Sequence, residues 1–460
     1  MALLNTGCSV STIQADITGL TTGYAAECFA ILAAGVDGAT SDRCVTIPNS
    51  GSLPSLYPTQ TIPEGQIVFV DDIGVSITAA SGKWVGLDGR VFRYDYPVST
   101  LWAWGYNAHG RIGNGTTTSC SVPSSVAGNG INWKLVCASA SNTASIKNDG
   151  TLWVWGLNNV GQLGDGTTTS RISPVAVAGG GVTWCAVSVG ACHMMALKTD
   201  GTLWTWGLNS CGQLGDGTTT NRSSPGTVAG GGNTWRDISA GEGSSFAVKT
   251  DGTLWTWGCN GVGDLGIGTS GVGTGRSSPG TTIGGGTNWS KVSKTRMSAL
   301  ALKTDGTLWT WGFNFYGELG DGTTTNRSSP GTVAGGGLTW CQIATGINHS
   351  MAIKTDNTLW TWGRNTHGRL GDGTTTCRSS PGTVAGGGTT WSKVSGFGYS
   401  TVALKTDGSL WTWGYNARGG QLGDGTTTNR SSPGTIFGGG NAWCDVSGGF
   451  FHTAAIKTSI

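Results

Sequence analysis

Lys249-Thr250-Asp251-Gly252-Thr253-Leu254-Trp255-Thr256-Trp257-Gly258 is the stretch on which the fold turns. Asp251-Gly252 stands between two apolar runs, Ser245 to Lys249 and Thr253 to Trp257. Asp-Gly in that setting is the strongest short hairpin signal, because a type I′ turn needs positive φ at both central residues. Trp255 and Trp257 are two residues apart, so both indoles leave one face of a strand, with Leu254 and Thr256 on the other. Outward from this hairpin, Thr234 to Ser239 alternates as a strand. Pro279 to Ile283 reads as a fourth, edge strand, where Pro forfeits no ladder donor. Four short strands with two apolar faces cannot bury themselves as an isolated unit of about 50 residues.

The unit repeats. Leu-Trp-x-Trp-Gly recurs at Trp102, Trp153, Trp204, Trp255, Trp309, Trp360 and Trp411, at spacings of 51, 51, 51, 54, 51 and 51 residues. The long interval comes from the stretch after Gly266, which carries three more residues than its counterparts. A third Trp follows each pair, at Trp133, Trp184, Trp235, Trp289, Trp340, Trp391 and Trp443. These account for 21 of the 22 Trp, leaving Trp84 outside. Radial stacking of such units predicts an all-β fold, a seven-bladed β-propeller. The array begins inside a hairpin, at Ser99-Thr100-Leu101-Trp102, and finishes with the missing first half of that hairpin, His452 to Thr458. The C-terminal strand 452–458 is therefore expected to pair with strand 100–105 and close the ring. A solenoid would need polar capping repeats at its ends, and none is evident.

Composition narrows the class. The 460 residues include 82 Gly and 22 Trp, and only 11% are Asp, Glu, Lys or Arg. Typical soluble domains hold roughly 7% Gly and about 25% charged residues. Disordered chains are poor in aromatics, and 12 Pro cannot sustain a Gly-X-Y repeat, so neither disorder nor collagen fits. A net charge of +2 offers no electrostatic footprint for nucleic acid. No segment approaches the ~18 consecutive apolar residues of a membrane span. The N-terminal MALLNTGCSV lacks the basic start of a secretory signal. The 12 Cys contain no CxxC pair. Cys185, Cys341 and Cys444 share a repeat position with Lys134, Arg236, Ser290 and Ser392, so they read as spacers. A set of mostly free thiols fits folding in a reducing cytosol.

Gly190-Ala191-Cys192-His193-Met194-Met195-Ala196-Leu197, followed by Trp206-Gly207-Leu208-Asn209-Ser210-Cys211-Gly212-Gln213-Leu214-Gly215, resembles the repeats of the regulator of chromosome condensation family. The resemblance covers residues 99 to 460 and recurs in seven units. It implies a seven-bladed propeller that works as a rigid protein-binding disc. Family members range from nucleotide exchange to light sensing and enzyme inhibition, so the fold does not dictate the task. Core packing accounts for the indoles here.

The repeated polar residues read as frame. His193, His349 and His452 share a position filled elsewhere by Ser244, Ser298, Ser400 and Asn142. They fall on non-adjacent blades, whereas metal ligands converge within ~2 Å of one ion. The position is expected to be a hydrogen-bonding one at the start of an inner strand. Asp165, Asp216, Asp321, Asp372 and Asp424 lie in Leu-Gly-Asp-Gly-Thr, and Arg171, Arg222, Arg276, Arg327, Arg378 and Arg430 precede Ser-Pro or Ser-Ser-Pro. An Asx-type turn braced by an Asp–Arg pair is expected in each blade. Lys147, Lys198, Lys249, Lys303, Lys354, Lys405 and Lys457 recur in all seven units and read as scaffold. There is no Gly-x-Ser-x-Gly, phosphate loop or HExxH. No catalytic, cofactor-binding or metal residue is assigned, and the chain is expected not to be an enzyme.

The units disagree with one another in two loops. After the Trp-Gly come Tyr106 and His109, then Phe313, Phe315 and Tyr316, then Arg364 and His367, then Tyr415 and Arg418. Before the hairpin strand come Glu242, Arg296, Ile347, Phe397, Tyr399, Phe450 and Phe451. Exposed aromatics and Arg are the anchors that protein interfaces use, so these loops are candidates for partner binding; neutral drift on loop tips is the competing reading.

Residues 1–95 stand outside the repeat, with the propeller assigned to 96–460. Ser11 to Leu20 and Tyr24 to Val36 read as short helices, Pro48 to Pro63 as a connector, and Gln66 to Thr78 with Gly82 to Arg90 as a small β meander. The unit is expected to be a small mixed α+β attachment or oligomerisation module. The stretch from Ile67 through Lys83-Trp84-Val85-Gly86-Leu87-Asp88-Gly89-Arg90 looks like the N-terminal modules of tailed-phage virion proteins. That resemblance implies a tail or fibre-like structural protein, folded in the host cytoplasm and carried on the virion as a homo-oligomer. It would meet other virion proteins through the N-terminal unit and a host surface or protein through the propeller loops. The alternative is a soluble bacterial inhibitor or scaffold, cytoplasmic or non-classically exported.

Overall fold

A computed structural model describes residues 98–458, apart from 129, 285 and 397, together with five short strands nearer the N-terminus. The chain divides into two units, Met1–Tyr96 and Pro97–Ile460.

In the second unit the strands group into seven four-stranded antiparallel sheets. Blade 3 shows how the sequence builds one: Trp235–Ala240, Ser244–Lys249, Leu254–Gly258 and Arg276–Thr281, hydrogen-bonded in chain order. Its central hairpin pairs Ser244 with Gly258 and Val248 with Leu254, so the Asp251-Gly252 turn falls where the sequence places it. The fourth strand begins at Arg276, ahead of the expected Pro279, and Pro279 occupies the outer edge where its missing N–H costs nothing. Blades 1, 2, 4, 5 and 6 repeat this order from Trp133, Trp184, Trp289, Trp340 and Trp391.

Blade 7 is assembled from both ends of the propeller. Its order is Trp443–Gly448, His452–Thr458, Ser99–Gly105 and Cys120–Ser125. His452 pairs with Gly105, Ala455 with Trp102 and Thr458 with Ser99, one residue beyond the expected 100–105.

The core lies between blades. Seven apolar clusters occupy seven blade–blade junctions, including one that joins Leu101, Ala103, Ala454 and Ile456 of blade 7 to Trp133, Val136 and Trp155 of blade 1. Each third-strand segment serves two junctions, as its alternation requires. Trp257 and Trp255 pack with Met195, Leu203 and Trp235, while Leu254 packs with Trp289 and Trp311 of the next blade.

One bond recurs at every junction. Trp257 Nε1 donates to the carbonyl of Gln213 on the preceding blade at 2.9 Å, and Trp104, Trp155, Trp206, Trp311, Trp362 and Trp413 make the equivalent bond. Gly215 makes room for it. It sits at φ +70°, and a Cβ there would lie 2.6 Å from Trp257 Nε1.

The frame residues behave as expected, with their physics now visible. Asp321 Oδ1 accepts from Thr323 N and Oγ1, and its Oδ2 pairs with Arg327 at 2.8 Å; Asp165, Asp216, Asp372 and Asp424 pair likewise with Arg171, Arg222, Arg378 and Arg430. Blade 3 lacks the Asp, and Arg276 turns to the Thr281 carbonyl instead. Lys249 Nζ lies 4.7 Å from the Trp235 ring and 4.4 Å from the Trp255 ring, a cation held between two indoles. His193, His349 and His452 open the second strand, one in from the first, and bond Ser245, Thr401 and Thr143 of the following blade. Burial lowers His193 to about 4 and His349 to about 3, so both rings are neutral at physiological pH.

The thiols need one correction. Cys211 and Cys259 form a disulfide between the loops of blades 2 and 3, with Cα atoms 5.2 Å apart. They hold different positions within their repeats, so comparing units in register never sets them side by side. Seven other described Cys are free. Cys341 is more than a spacer: its Sγ donates to the Ile353 carbonyl, as Ser290 Oγ does to Leu302.

In the first unit, Val75–Ser76, Lys83–Gly86 and Val91–Arg93 form a three-stranded antiparallel sheet where the meander is expected. Asp42–Val45 pairs with Gln60–Pro63, so the end of the expected connector is strand. The helices expected at 11–20 and 24–36 lie outside the described residues.

Deleting residues 452–460 removes the second strand of blade 7 and with it the junctions to blades 1 and 6. The truncated protein is expected to melt at a sharply lower temperature in calorimetry; an unchanged Tm would show that the ring does not depend on this strand.

Candidate functional site

Antiparallel pairing decides where the variable loops emerge. The start of each second strand faces the end of the third, as in Ser298↔Gly312, His349↔Gly363, Ser400↔Gly414 and His452↔Gly105. Both variable loops of every blade therefore leave from one face of the ring, and the Asp-Gly turns from the other.

The loops are held from below. Asn365 is fully buried; its Nδ2 donates to Asp372 Oδ1 at 3.0 Å and the Thr374 carbonyl at 3.2 Å, and its Oδ1 accepts from Leu370 N. Asn107, Asn314 and Asn416 do the same for their loops. Satisfied buried amides of this kind give rigid loop tips.

On blades 4 to 7 the tips touch one another. Phe313 stacks on Phe315 at 6.4 Å, Phe315 meets Tyr316 edge-on at 4.9 Å, and the Arg364 guanidinium lies 4.5 Å from the Tyr316 ring. His367, on the same loop as Arg364, packs 4.9 Å from Tyr415. Tyr415, Tyr399, Phe450, Phe451 and Tyr106 then form a continuous cluster of edge-on and tilted ring pairs at 5.8–6.3 Å. Arg418 wedges over Tyr106 at 4.9 Å and Phe451 at 4.7 Å. Phe315 is 63% exposed, and the rings behind it are half-buried. The expected candidates thus converge, with three exceptions. Arg296 stands apart in an ion pair with Glu242 at 2.9 Å, His109 is exposed on the loop that follows Tyr106, and Phe397 lies outside the described residues.

Two buried arginines that the sequence reading passes over support this arc. His109-Gly110-Arg111 and His367-Gly368-Arg369 are matching turns, with His109 at φ 66° and His367 at φ 73°. Arg111 donates to the Ala140 carbonyl at 2.7 Å and Arg369 to that of Ile347 at 2.9 Å. Their guanidinium planes lie 5.1 Å from Tyr106 and 5.0 Å from Tyr399. Burial pushes both down to about 10, so they stay cationic at neutral pH. Gln162, Gln213, Asp264, Glu318 and Gln421 occupy the same repeat position. That variation was the available signal, hidden inside a motif that reads as frame.

The opposite arc of the same face, on blades 1 to 3, carries Ser139-Ala140-Ser141, Gly190-Ala191-Cys192 and Gly241-Glu242-Gly243, with the disulfide between blades 2 and 3. Chemically the face offers ring edges and guanidinium groups. Among the described residues no group of three or more His, Cys, Asp or Glu is placed to hold a metal ion, and no helix is long and apolar enough to cross a membrane.

Comparison with known proteins agrees with this architecture. The RCC1-like domain model matches residues 98–389, and the regulator of chromosome condensation (RCC1) repeat model matches residues 407–456. The chain belongs to the RCC1-like domain family. Its propeller is 30% identical over 296 residues to the ultraviolet-B receptor UVR8 of Arabidopsis thaliana, covering 63% of this chain and 66% of that protein. It is 31% identical over 293 residues to the E3 ubiquitin-protein ligase HERC2 of Homo sapiens, covering 62% of this chain and 6% of that protein. The chain thus spans less than two thirds of either relative. Human WBSCR16 has the same fold, with a TM-score of 0.68 at 20% identity over 79% of this chain and 99% of that one. So does Prp20p of Saccharomyces cerevisiae, with 0.68 at 18% over 80% and 93%; its structure was described with binding to Gsp1p and histones.

Glu318 gives the RCC1-like arc a titratable member. It is fully buried, its Oε2 accepts from Tyr316 N at 2.8 Å, and its Oε1 has no partner. Burial raises its pKa to about 7, against the pull of Arg364 and Arg369. A raised carboxyl stabilises the fold below the unfolded value near 4.5, and that contribution is lost as pH rises through about 7. Gln162 and Gln213 make the same loop bond without a charge. Glu318→Gln is therefore expected to match the wild type in denaturant melts near pH 4 and to exceed it by about 3 kcal/mol above pH 7. Parallel pH profiles would contradict this.

Proposed function

We propose that this chain is a non-enzymatic interaction protein that binds a protein or host-surface partner through the aromatic–arginine arc on blades 4 to 7. One observation carries the reading: the solvent-accessible aromatics of the loop face, and the guanidinium groups of Arg364 and Arg418, are gathered on four consecutive blades, while the corresponding loops of the other three carry no aromatic or Arg. Interface hot spots are enriched in Tyr and Arg that cluster on pre-organised backbone. The repeated Asp and Arg of the loops are paired with one another in the frame and do not face the arc. Replacing Phe315, Tyr316, Phe450 and Phe451 together with Ala should weaken partner capture by at least tenfold and leave the Tm within a few degrees of wild type. Unaltered capture places the contact elsewhere.

The N-terminal unit supports a placement for this module. Its resemblance to phage tail and fibre-like modules favours a virion structural protein, a homo-oligomer in the particle that turns the propeller outward. A soluble bacterial inhibitor or scaffold is the reading it competes with. Removing residues 1–95 should convert an assembled species to a monomer in light scattering with the propeller melt preserved. A monomer before and after removal favours the soluble module.

A further inference from the structure

We infer that the partner segment recognised by the arc is an acidic peptide, carboxylates alternating with apolar or aromatic side chains. The inference rests on the arc being the binding surface and concerns the chemistry it selects.

Charge bookkeeping on the loop face carries it. The carboxylates of these loops are already matched within the propeller: Asp321 with Arg327, Asp372 with Arg378, Asp424 with Arg430 and Glu242 with Arg296, at 2.8, 3.6, 2.9 and 2.9 Å. Blade 7 has Asn114 where blades 4 to 6 have Asp, and so adds no acid. Arg364 and Arg418 make no ion pair among the described residues, and Arg364 Nε is buried without a hydrogen-bond partner. Arg111 and Arg369 add two more positive charges directly beneath the rings. The only acid within the arc, Glu318, is buried under Tyr316 and not presented to solvent. The surface is thus a cationic one with no anion of its own.

Its shape chooses among anions. A small anion needs donors that converge, whereas Arg364 belongs to the blade 5 loop and lies over Tyr316, and Arg418 belongs to the blade 6 loop and lies over Tyr106 and Phe451. Ring contact holds each guanidinium in place, and its terminal Nη groups remain to meet a bidentate carboxylate. Between and beside them the edges of Tyr399, Tyr415 and Phe450 offer apolar contact. An extended segment that sets carboxylates over the arginines and apolar groups over the rings satisfies both. A nucleic acid strand would bring a charge at every nucleotide and call for a longer row of cations than this chain, at net +2, displays.

The test uses the full chain and a fluorescently labelled peptide alternating Glu with Tyr, read by anisotropy. Binding should weaken as salt is raised. It should fall at least tenfold when the peptide carries Gln for Glu, and about tenfold for each of Arg364→Gln and Arg418→Gln. Lys134→Gln, an exposed cation on blade 1, should leave it unchanged. Equal affinity for the Glu and Gln peptides, or no binding of either, overturns the inference. So does displacement of the Glu peptide by single-stranded oligonucleotide or heparin at lower concentration than by the unlabelled peptide. If the two peptides bind equally and Phe450→Ala with Phe451→Ala still abolishes binding, the surface stands and its acidic preference falls. If the Arg variants abolish binding while the Phe variants do not, the aromatic surface itself is refuted.

Discussion

The indole N–H of the second Trp in each Leu-Trp-x-Trp-Gly is the tie on which the propeller depends. It reaches across the junction to a carbonyl of the preceding blade, as Trp257 does to Gln213 and Trp104 to Gln421. A blade has no core of its own, so its apolar faces are buried only while this contact holds the neighbours in register. The same bond accounts for the glycine that ends each Gly-x-Leu-Gly, since a side chain there would occupy the space of the indole. Ser245, Ser350, Thr143, Thr401 and Thr453 hydroxyls converge on the same carbonyls, and the buried His residues then hold three of those hydroxyls. Junction geometry is thereby set by a chain of directional bonds as well as by packing.

That tie also explains why one position varies usefully. Because the junction uses only the backbone carbonyl of the residue before Leu, its side chain is left free to differ. Gln fills it on blades 1, 2 and 6, Asp264 meets the buried Lys294 at 3.3 Å, and Glu318, Arg111 and Arg369 sit under the aromatic arc. The fold therefore accepts a change of charge beneath the loop face without a change of frame. The four aromatic blades and the three small-residue blades are variations on one support.

Much of this was legible in the sequence. The Trp spacing predicts the number of sheets, the Asp-Gly pairs predict the hairpins, and the split hairpin at Ser99 and His452 predicts the pairing seen in blade 7. The Asp–Arg braces follow from residue types recurring together. Other features left weaker traces. The recurring Lys reads as scaffold, but its placement between two indoles needs the third dimension, because Trp235, Lys249 and Trp255 come from three strands. The Cys211–Cys259 bridge joins positions that are not equivalent in the repeat. The fourth strand starts earlier than its Pro suggests, because an edge strand tolerates Pro inside it.

The sequence by itself determined the blade, the number of blades and the closing strand, because these follow from local periodicity and from a hairpin divided between two ends. It also determined which loops vary. Only the tertiary structure decided that those loops form one surface, and which of them touch. Antiparallel pairing brings both variable loops of a blade to the same face, and ring closure sets Tyr106, near the start of the propeller, against Phe451, near its end. A repeat read along the chain has neighbours before and after it, but a ring joins its first and last, and the aromatic arc is built across that seam.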